Sequence, residues 1–234
     1  MSGTLYGIGL GPGDPDLMTL KAHRLISAAK VVAYPAPDTG DSFARSIAAG
    51  AISSSAIEIP IVIPMRVARF PAQSVYDEAA DAIGAHLDAG TDVAVLCEGD
   101  PFFYGSFMYL FGRLAERHKA EIVPGVTSMT ACAAMAARPL CARNEILTVV
   151  PATVDEALLR DRLQASGAAV IMKVGRHLAR VRKVIEDLNL TSRAIYVAHA
   201  SLPQQTVVPL IDAPETAPYF SMILIGGTDP YVKT

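Results

Sequence analysis

Residues 98–105, Glu-Gly-Asp-Pro-Phe-Phe-Tyr-Gly, place two carboxyl groups and a phenol beside two glycines. Glu98 and Asp100 can accept hydrogen bonds or a proton, and the Tyr104 hydroxyl can donate or accept one. Asp100 stands directly before Pro101, an order typical of a helix N-cap followed by the first helical residue. An acidic side chain next to a flexible glycine and a helix N-terminus suits a small polar or cationic ligand.

The segments on either side of this stretch predict how it is positioned. The unbroken apolar run Val93–Cys97 predicts a strand that is buried on both faces, as in the centre of a parallel sheet. A helical pattern follows, through Phe107, Leu110 and Leu114. Because open α/β sheets bind ligands at the carboxyl ends of their strands, residues 98–105 form a candidate site.

The first loop is glycine-rich but does not fit a dinucleotide site. Residues 4–10 predict a strand, and residues 7–15 read Gly-Ile-Gly-Leu-Gly-Pro-Gly-Asp-Pro. The third glycine of a dinucleotide fingerprint would fall on Pro12 or Asp14, and the Asp14 carboxylate would repel a pyrophosphate at the helix N-terminus. Asp14 predicts an N-cap for a helix over residues 15–29, a role that is compatible with a ligand contact.

Further units of the same kind follow along the chain. Residues 121–123 predict a strand, and residues 129–137 predict a helix that Thr127 or Ser128 caps. Later strands and helices alternate and then give way to hairpin-like strands near the end. This order predicts an α/β protein with two lobes, each a mostly parallel or mixed sheet flanked by helices. We place the lobes at residues 1–118 and 119–234.

Composition excludes several classes of function. The net charge of −3 and the absence of tryptophan argue against a nucleic-acid binder, and no apolar run is long enough to span a bilayer. The N-terminus shows no signal peptide, so we expect a cytoplasmic location. The three cysteines and five histidines have no metal-ligand spacing, and no Gly-x-Ser-x-Gly motif is present. We therefore expect no metal site and no covalent catalysis, but an enzyme that positions its reactants.

Two histidine predictions follow from the same patterns. His118 falls on a helical stretch that predicts solvent exposure, whereas His199 ends a predicted strand and is a candidate site residue.

Three loops together resemble a known family. Residues 7–14 with residues 17–22 resemble the first motif of the tetrapyrrole methylases, residues 98–105 the second, and residues 123–128 the third. The resemblance keeps the order of the motifs and covers essentially the whole chain. Within the family, residues 104–109 and 170–176 look most like the branch that methylates C20 of precorrin-2.

The resemblance implies a fold, a cofactor and an assembly. It implies a homodimer of two-lobed α/β subunits with S-adenosylmethionine folded in the cleft between the lobes, a tetrapyrrole substrate, and S-adenosylhomocysteine as product. Carried over by position, the cofactor-binding residues are Gly99, Asp100, Phe103, Thr127, Ser128, Met172, Ala200 and Ser221. Glu98 departs from the family, which often has glycine there, and is expected to add a charge beside the cofactor or to face the macrocycle.

The implied reaction converts precorrin-2 to precorrin-3A on the route to cobalamin. A base must remove a proton from C20, and the candidates are Asp14, Glu98 and Tyr104. Candidates for binding the substrate carboxylates are Arg66, Arg69, Arg138, Arg143 and Lys173. The alternatives are a cobalt-containing substrate, another position on the corrin, an rRNA ribose or a modified histidine as methyl acceptor, and a tetrapyrrole- or cofactor-binding carrier without turnover.

Overall fold

The computed structural model describes residues 2–63 and 71–227 and contains two compact α/β units. The predicted two-lobed fold class is confirmed. The units divide between Thr127 and Ser128, later than the predicted boundary at residue 118. The predicted boundary separated the strand Ala120–Val123 from the first unit, but this strand pairs with Leu5–Gly9 and belongs to the first sheet.

The first unit contains a five-stranded, all-parallel sheet with strand order β3-β2-β4-β1-β5. Its strands are β1 Leu5–Gly9, β2 Val31–Pro37, β3 Ile57–Ile63, β4 Val93–Cys97 and β5 Ala120–Val123. Its helices are α1 Leu20–Ala28, α2 Phe43–Ala48, α3 Pro71–Asp88 and α4 Phe107–Leu114. As predicted, β4 lies in the middle of the sheet and is completely buried.

Both faces of this sheet are covered by apolar side chains. On one face Ile83 and Leu87 of α3 pack with Phe107 and Leu110 of α4. On the other face Ile26 of α1 lies among side chains from α2 and from β1, β2 and β4. A sheet covered on both faces requires strands without polar alternation, which is why β4 reads as a continuous apolar run.

Two predicted helix starts are wrong. The segment predicted as one helix over residues 15–29 divides into a 3₁₀ turn, Pro15–Leu17, and α1, because Met18 and Thr19 have extended backbones. The Thr19 hydroxyl accepts the Ala22 N–H and thereby begins α1. Likewise α4 begins only at Phe107, with Ser106 as its N-cap, so Asp100 and Pro101 do not open it.

The second unit contains a mixed five-stranded sheet with strand order β6-β7-β10-β8-β9. Only β6 and β7 are parallel, and the other neighbours are antiparallel, as the hairpin-like sequence predicted. Its strands are β6 Leu147–Pro151, β7 Ala168–Met172, β8 Ala194–Ala198, β9 Thr206–Pro209 and β10 Ser221–Ile225. Its helices are α5 Ser128–Met135, α6 Glu156–Gln164 and α7 Leu178–Asp187.

Helices α6 and α7 cover one face of the second sheet, where Leu159, Val181 and Ile185 pack against Tyr196 and Ile223. Helix α5 contacts β10. Within residues 2–63 and 71–227, no helix combines the length and the hydropathy needed to cross a bilayer.

The His118 prediction is wrong. Its side chain is buried, and Nδ1 lies 2.9 Å from the Ser2 hydroxyl. The helical pattern near residue 118 could not show that the start of the chain covers this ring.

Candidate active site

Three loops meet at the carboxyl edge of the first sheet. The strands β4, β1 and β5 are neighbours, and the register aligns Gly9 with Cys97 and Ile8 with Val123. The loops that follow these strands therefore leave the sheet at the same level. They are the three segments that carry the family resemblance.

Glycine allows these loops to approach at backbone distance. A Cβ atom on Gly125 would lie 2.0 Å from the carbonyl oxygen of Gly99, and one on Gly9 would lie 2.6 Å from the nitrogen of Gly125. Gly11 and Gly99 exchange two backbone hydrogen bonds, of 3.2 and 2.7 Å, and both have positive φ. The glycines therefore bring one backbone against another, a role for which no side chain leaves room.

Asp100 links two of these loops. Its Oδ1 accepts the Phe102 N–H at 2.9 Å, and its Oδ2 accepts the Gly125 N–H at 3.0 Å. The predicted N-cap role is thus wrong: the carboxylate holds the loop after β4 against the loop after β5. Each carboxylate oxygen accepts more than one hydrogen bond, so the fixed Asp100 side chain can still accept from a ligand.

The Cys97 sulfur lies beside the beginning of α4, where Ser106 makes no side-chain cap hydrogen bond and the backbone N–H groups of Ser106 and Phe107 favour the thiolate. Burial nevertheless raises the pKa of the Cys97 thiol to about 11, so the group is a neutral thiol at pH 7. A Cβ on Gly105 would lie 2.8 Å from this sulfur, so the loop backbone approaches the Cys97 side chain closely.

The same loop presents aromatic rings to solvent. Tyr104 has a left-handed backbone, with φ of 57°, and its side chain is 44% exposed. Its ring meets that of Phe103 edge-on at 5.2 Å. Phe102 is 48% exposed and contacts the Phe111 ring edge-on at 5.1 Å. Left-handed non-glycine residues are strained and concentrate at functional sites.

Glu98 and Asp14 also lie in these loops. Burial raises the pKa of the Glu98 carboxyl, and the backbone N–H groups of Glu98 itself and of Ala44, in the first turn of α2, partly oppose this rise. Asp14 caps the 3₁₀ turn Pro15–Leu17 instead of the predicted helix over residues 15–29, and its Oδ1 accepts the Asp16 N–H at 2.9 Å. Glu98 therefore faces α2, whereas Asp14 supports its own loop.

The second unit brings Met172, Ala200 and Ser221 to one edge of its sheet. Strand β10 is antiparallel to β7 and β8, so its first residue lies beside the last residues of both, with Ser221 opposite Ala198 and Met222 opposite Met172. Met172, Ala200 and Ser221 are all buried. The Ser221 hydroxyl donates to the Pro218 carbonyl at 2.6 Å and accepts the Gly175 N–H at 3.3 Å, so part of its capacity serves the fold.

Strained backbones surround this edge. In the described ranges seven non-glycine residues have positive φ, and Lys173, His199 and Ser201 are three of them. These three residues stand next to Met172 and Ala200 in sequence. Sequence reasoning missed this strain because no local pattern signals a left-handed conformation outside glycine and asparagine.

The remaining predicted residues are more dispersed. Ser128 opens α5, and Thr127 is the last residue of the first unit. Arg138 and Arg143 lie in the connector between α5 and β6. Arg66 and Arg69 lie outside the described residues.

Comparison with known proteins agrees with this geometry. The model of the family "Tetrapyrrole (Corrin/Porphyrin) Methylases" matches residues 4–213. The chain belongs to this family. Among solved structures, a cobalamin biosynthetic enzyme, the cobalt precorrin-4 methyltransferase CbiF, superimposes with a TM-score of 0.74 at 27% identity. The match covers 95% of this chain and 94% of that chain. The methyltransferase CobJ gives a TM-score of 0.73 at 23% identity, a likeness of fold alone, covering 97% and 95%.

Among curated tetrapyrrole methylases, a precorrin-2 C(20)-methyltransferase from Sinorhizobium is 38% identical over 96% of both chains. A cobalt-precorrin-2 C(20)-methyltransferase from Salmonella typhimurium is 32% identical over the full length of both. The cobalamin biosynthesis protein CobIJ of Mycobacterium tuberculosis is 43% identical over 96% of this chain but 46% of its own length. This chain thus spans about half the length of the mycobacterial relatives it matches.

Proposed function

We propose that this chain transfers a methyl group from S-adenosylmethionine to C20 of precorrin-2 and forms precorrin-3A in cobalamin biosynthesis. The observation that carries the proposal is the similarity along nearly the whole chain to two relatives named for C20 methylation of precorrin-2 or its cobalt form. The resemblance of residues 104–109 and 170–176 supports the same branch.

The residues of the site fit S-adenosylmethionine. Asp100 offers a fixed carboxylate with lone pairs to spare, which suits hydroxyl and ammonium groups and would repel a phosphate. Neighbouring backbone atoms occupy the space beside the loop glycines, which leaves no room there for a phosphate group. When bound, S-adenosylmethionine supplies an electrophilic methyl group on a sulfonium centre. The residues proposed to hold it are Gly99, Asp100, Phe103, Thr127, Ser128, Met172, Ala200 and Ser221.

The protein's contribution is mainly orientation. C20 of precorrin-2 is electron-rich, so alignment with the methyl group matters more than activation. Good alignment can lower a barrier by roughly 7–11 kcal/mol. The contacts that Asp100 and the loop glycines make hold the loops before any ligand arrives. Exposed Phe102 and Tyr104 rings supply apolar surface for a macrocycle.

A base must take the proton that leaves C20, and Asp14, Glu98 and Tyr104 remain the proposed candidates. Glu98 has a pKa raised by burial, which brings a carboxyl closer to the ideal for proton transfer near neutral pH. Against it, the backbone N–H of Ala44 lowers the pKa of the same carboxyl. Tyr104 has the more exposed side chain. Single-turnover rates of Glu98→Gln, Tyr104→Phe and Asp14→Asn will identify the base, because only its loss slows the proton step.

We also propose a homodimer on the strength of the family resemblance, and a cytoplasmic location, as expected from the sequence. Light scattering coupled to size-exclusion chromatography tests the assembly, and a mass of one chain would refute it.

The test of the function is anaerobic incubation with S-adenosylmethionine and metal-free precorrin-2, with the cobalt-containing form in parallel. We expect the metal-free macrocycle to gain one methyl group in place of one hydrogen, a net mass gain of CH2, and carbon-13 from a labelled methyl donor to appear at C20. A gain only with the cobalt form would favour the activity for which the Salmonella relative is named. A label at another carbon would indicate a sister corrin methylase, and cofactor binding without any gain would indicate a carrier.

A further inference from the structure

His199 contains a buried polar atom that nothing in the described chain satisfies. The residue directly follows β8, and its Nδ1 has no hydrogen-bond partner among residues 2–63 and 71–227. Folded proteins pair nearly all such atoms, with protein groups, water or a ligand. We therefore expect the ring nitrogen of His199 to have a hydrogen-bond partner that is not among the described residues.

The position of the His199 ring is set by its surroundings. The backbone is left-handed, with φ of 50°, which is unfavourable for histidine. Its N–H donates to the Phe220 carbonyl at 2.9 Å, and its ring packs against that of Phe220 at 6.4 Å between centroids. A strained conformation that neighbouring residues hold in place is typical of a functional position.

His199 lies among the residues proposed to hold the cofactor. Ala200 follows it in sequence, and Ser221 pairs with Ala198 across β8 and β10. On the other side Ser201 is also left-handed, and its N–H donates to the Gln205 side chain at 2.8 Å. The loop from 199 to 205 is thus held in a defined shape at this edge.

We propose that Nδ1 of His199 hydrogen-bonds the adenosine moiety of S-adenosylmethionine, so that His199 is a binding residue of the cofactor site. A ribose hydroxyl can both donate and accept, so it matches either tautomer of a neutral imidazole. The adenosine moiety is common to the cofactor and to S-adenosylhomocysteine, so the product is a suitable probe. This inference rests on the proposed function.

Three substitutions at position 199 test the claim. Asparagine places an amide near the position of Nδ1 and tolerates a left-handed backbone. Glutamine carries its amide farther out, near the position of Nε2, and glycine removes the side chain without adding backbone strain. We expect the dissociation constant of S-adenosylhomocysteine, measured by calorimetry, to stay within about threefold in His199→Asn. It should rise at least tenfold in His199→Gln and His199→Gly, at about 1.4 kcal/mol for each factor of ten.

The outcomes separate the inference from the proposed function. If the unsubstituted protein binds no S-adenosylhomocysteine, the proposed function fails. If it binds and His199→Gly binds equally well, or if the asparagine and glutamine variants weaken equally, the role of Nδ1 is refuted. A second measurement avoids substitution altogether: the nitrogen-15 resonance of Nδ1 should shift when S-adenosylhomocysteine or 5′-methylthioadenosine is added to the labelled protein. An unchanged resonance at saturating ligand would also overturn the inference.

Discussion

Replacing Gly125 with alanine should separate the loops of the first unit. The new Cβ would lie 2.0 Å from the Gly99 carbonyl oxygen and 2.9 Å from the Gly9 Cα. Both neighbours are backbone atoms, so no side chain can rotate away. The loop carrying Gly125 must retreat, and the hydrogen bond from its N–H to Asp100 Oδ2 must lengthen or break.

The expected cost is the sum of two effects. Overpacking in a close-packed region costs about 1–3 kcal/mol, and losing a hydrogen bond to a charged group costs about 1.5–3 kcal/mol. Together they predict a loss of about 2.5–6 kcal/mol, a large share of the 5–15 kcal/mol typical of native proteins. Because Asp100 would lose its orientation, affinity for S-adenosylhomocysteine should fall as well.

Urea unfolding followed by circular dichroism measures the first effect, and calorimetry of S-adenosylhomocysteine binding measures the second. Gly112→Ala is the matched control: it adds the same methyl group within α4, where nothing lies within 4 Å. It should stabilise the protein by roughly 0.5–1 kcal/mol through helix propensity. If Gly125→Ala costs less than about 1 kcal/mol and keeps its affinity, the loops do not approach as closely as described.

Three further substitutions test individual side chains. Asp100→Asn should lower the unfolding free energy by about 2–3 kcal/mol, because a hydrogen bond to a charged group is lost and the new amide donor faces a backbone N–H group. Asp155→Asn is the control: asparagine is also a good N-cap for α6, so the unfolding free energy should not change. Tyr104→Gly should relieve left-handed strain and raise stability by about 1 kcal/mol, yet weaken macrocycle binding in an absorbance titration that Tyr104→Phe should leave intact. Burial raises the pKa of Glu98 in the native state above the ordinary glutamate pKa of 4.5, so the native state binds more protons than the unfolded state. Ionisation of Glu98 therefore opposes folding as the pH rises above 4.5. Between pH 4 and pH 7, the free energy of unfolding of the wild type should therefore fall relative to that of Glu98→Gln. If the two free energies change in parallel with pH, the reasoning is contradicted.

Much of the fold could be predicted because its signals are local. The apolar run of β4 and the alternation of strands and helices are both visible within a few residues of sequence. Edge position also explains why Pro60 is tolerated within β3: one side of an edge strand has no partner strand, so a residue without an N–H need not break the sheet.

Helix starts were harder because competing partners lie far away in sequence. Asp100 before Pro101 has the local chemistry of an N-cap, but its carboxylate finds the Gly125 N–H instead. Helix α4 then begins only at Phe107, without a side-chain cap from Ser106.

The sequence by itself determined the family, the two α/β units and the loops that hold the candidate site, because apolar periodicity and motif order are properties of the chain. Only the tertiary structure decided what each group in those loops contacts: Asp100 with Gly125, Glu98 with the first turn of α2, and His199 with Phe220. The physical reason is that hydrogen bonds and burial depend on which distant segments the sheets bring together.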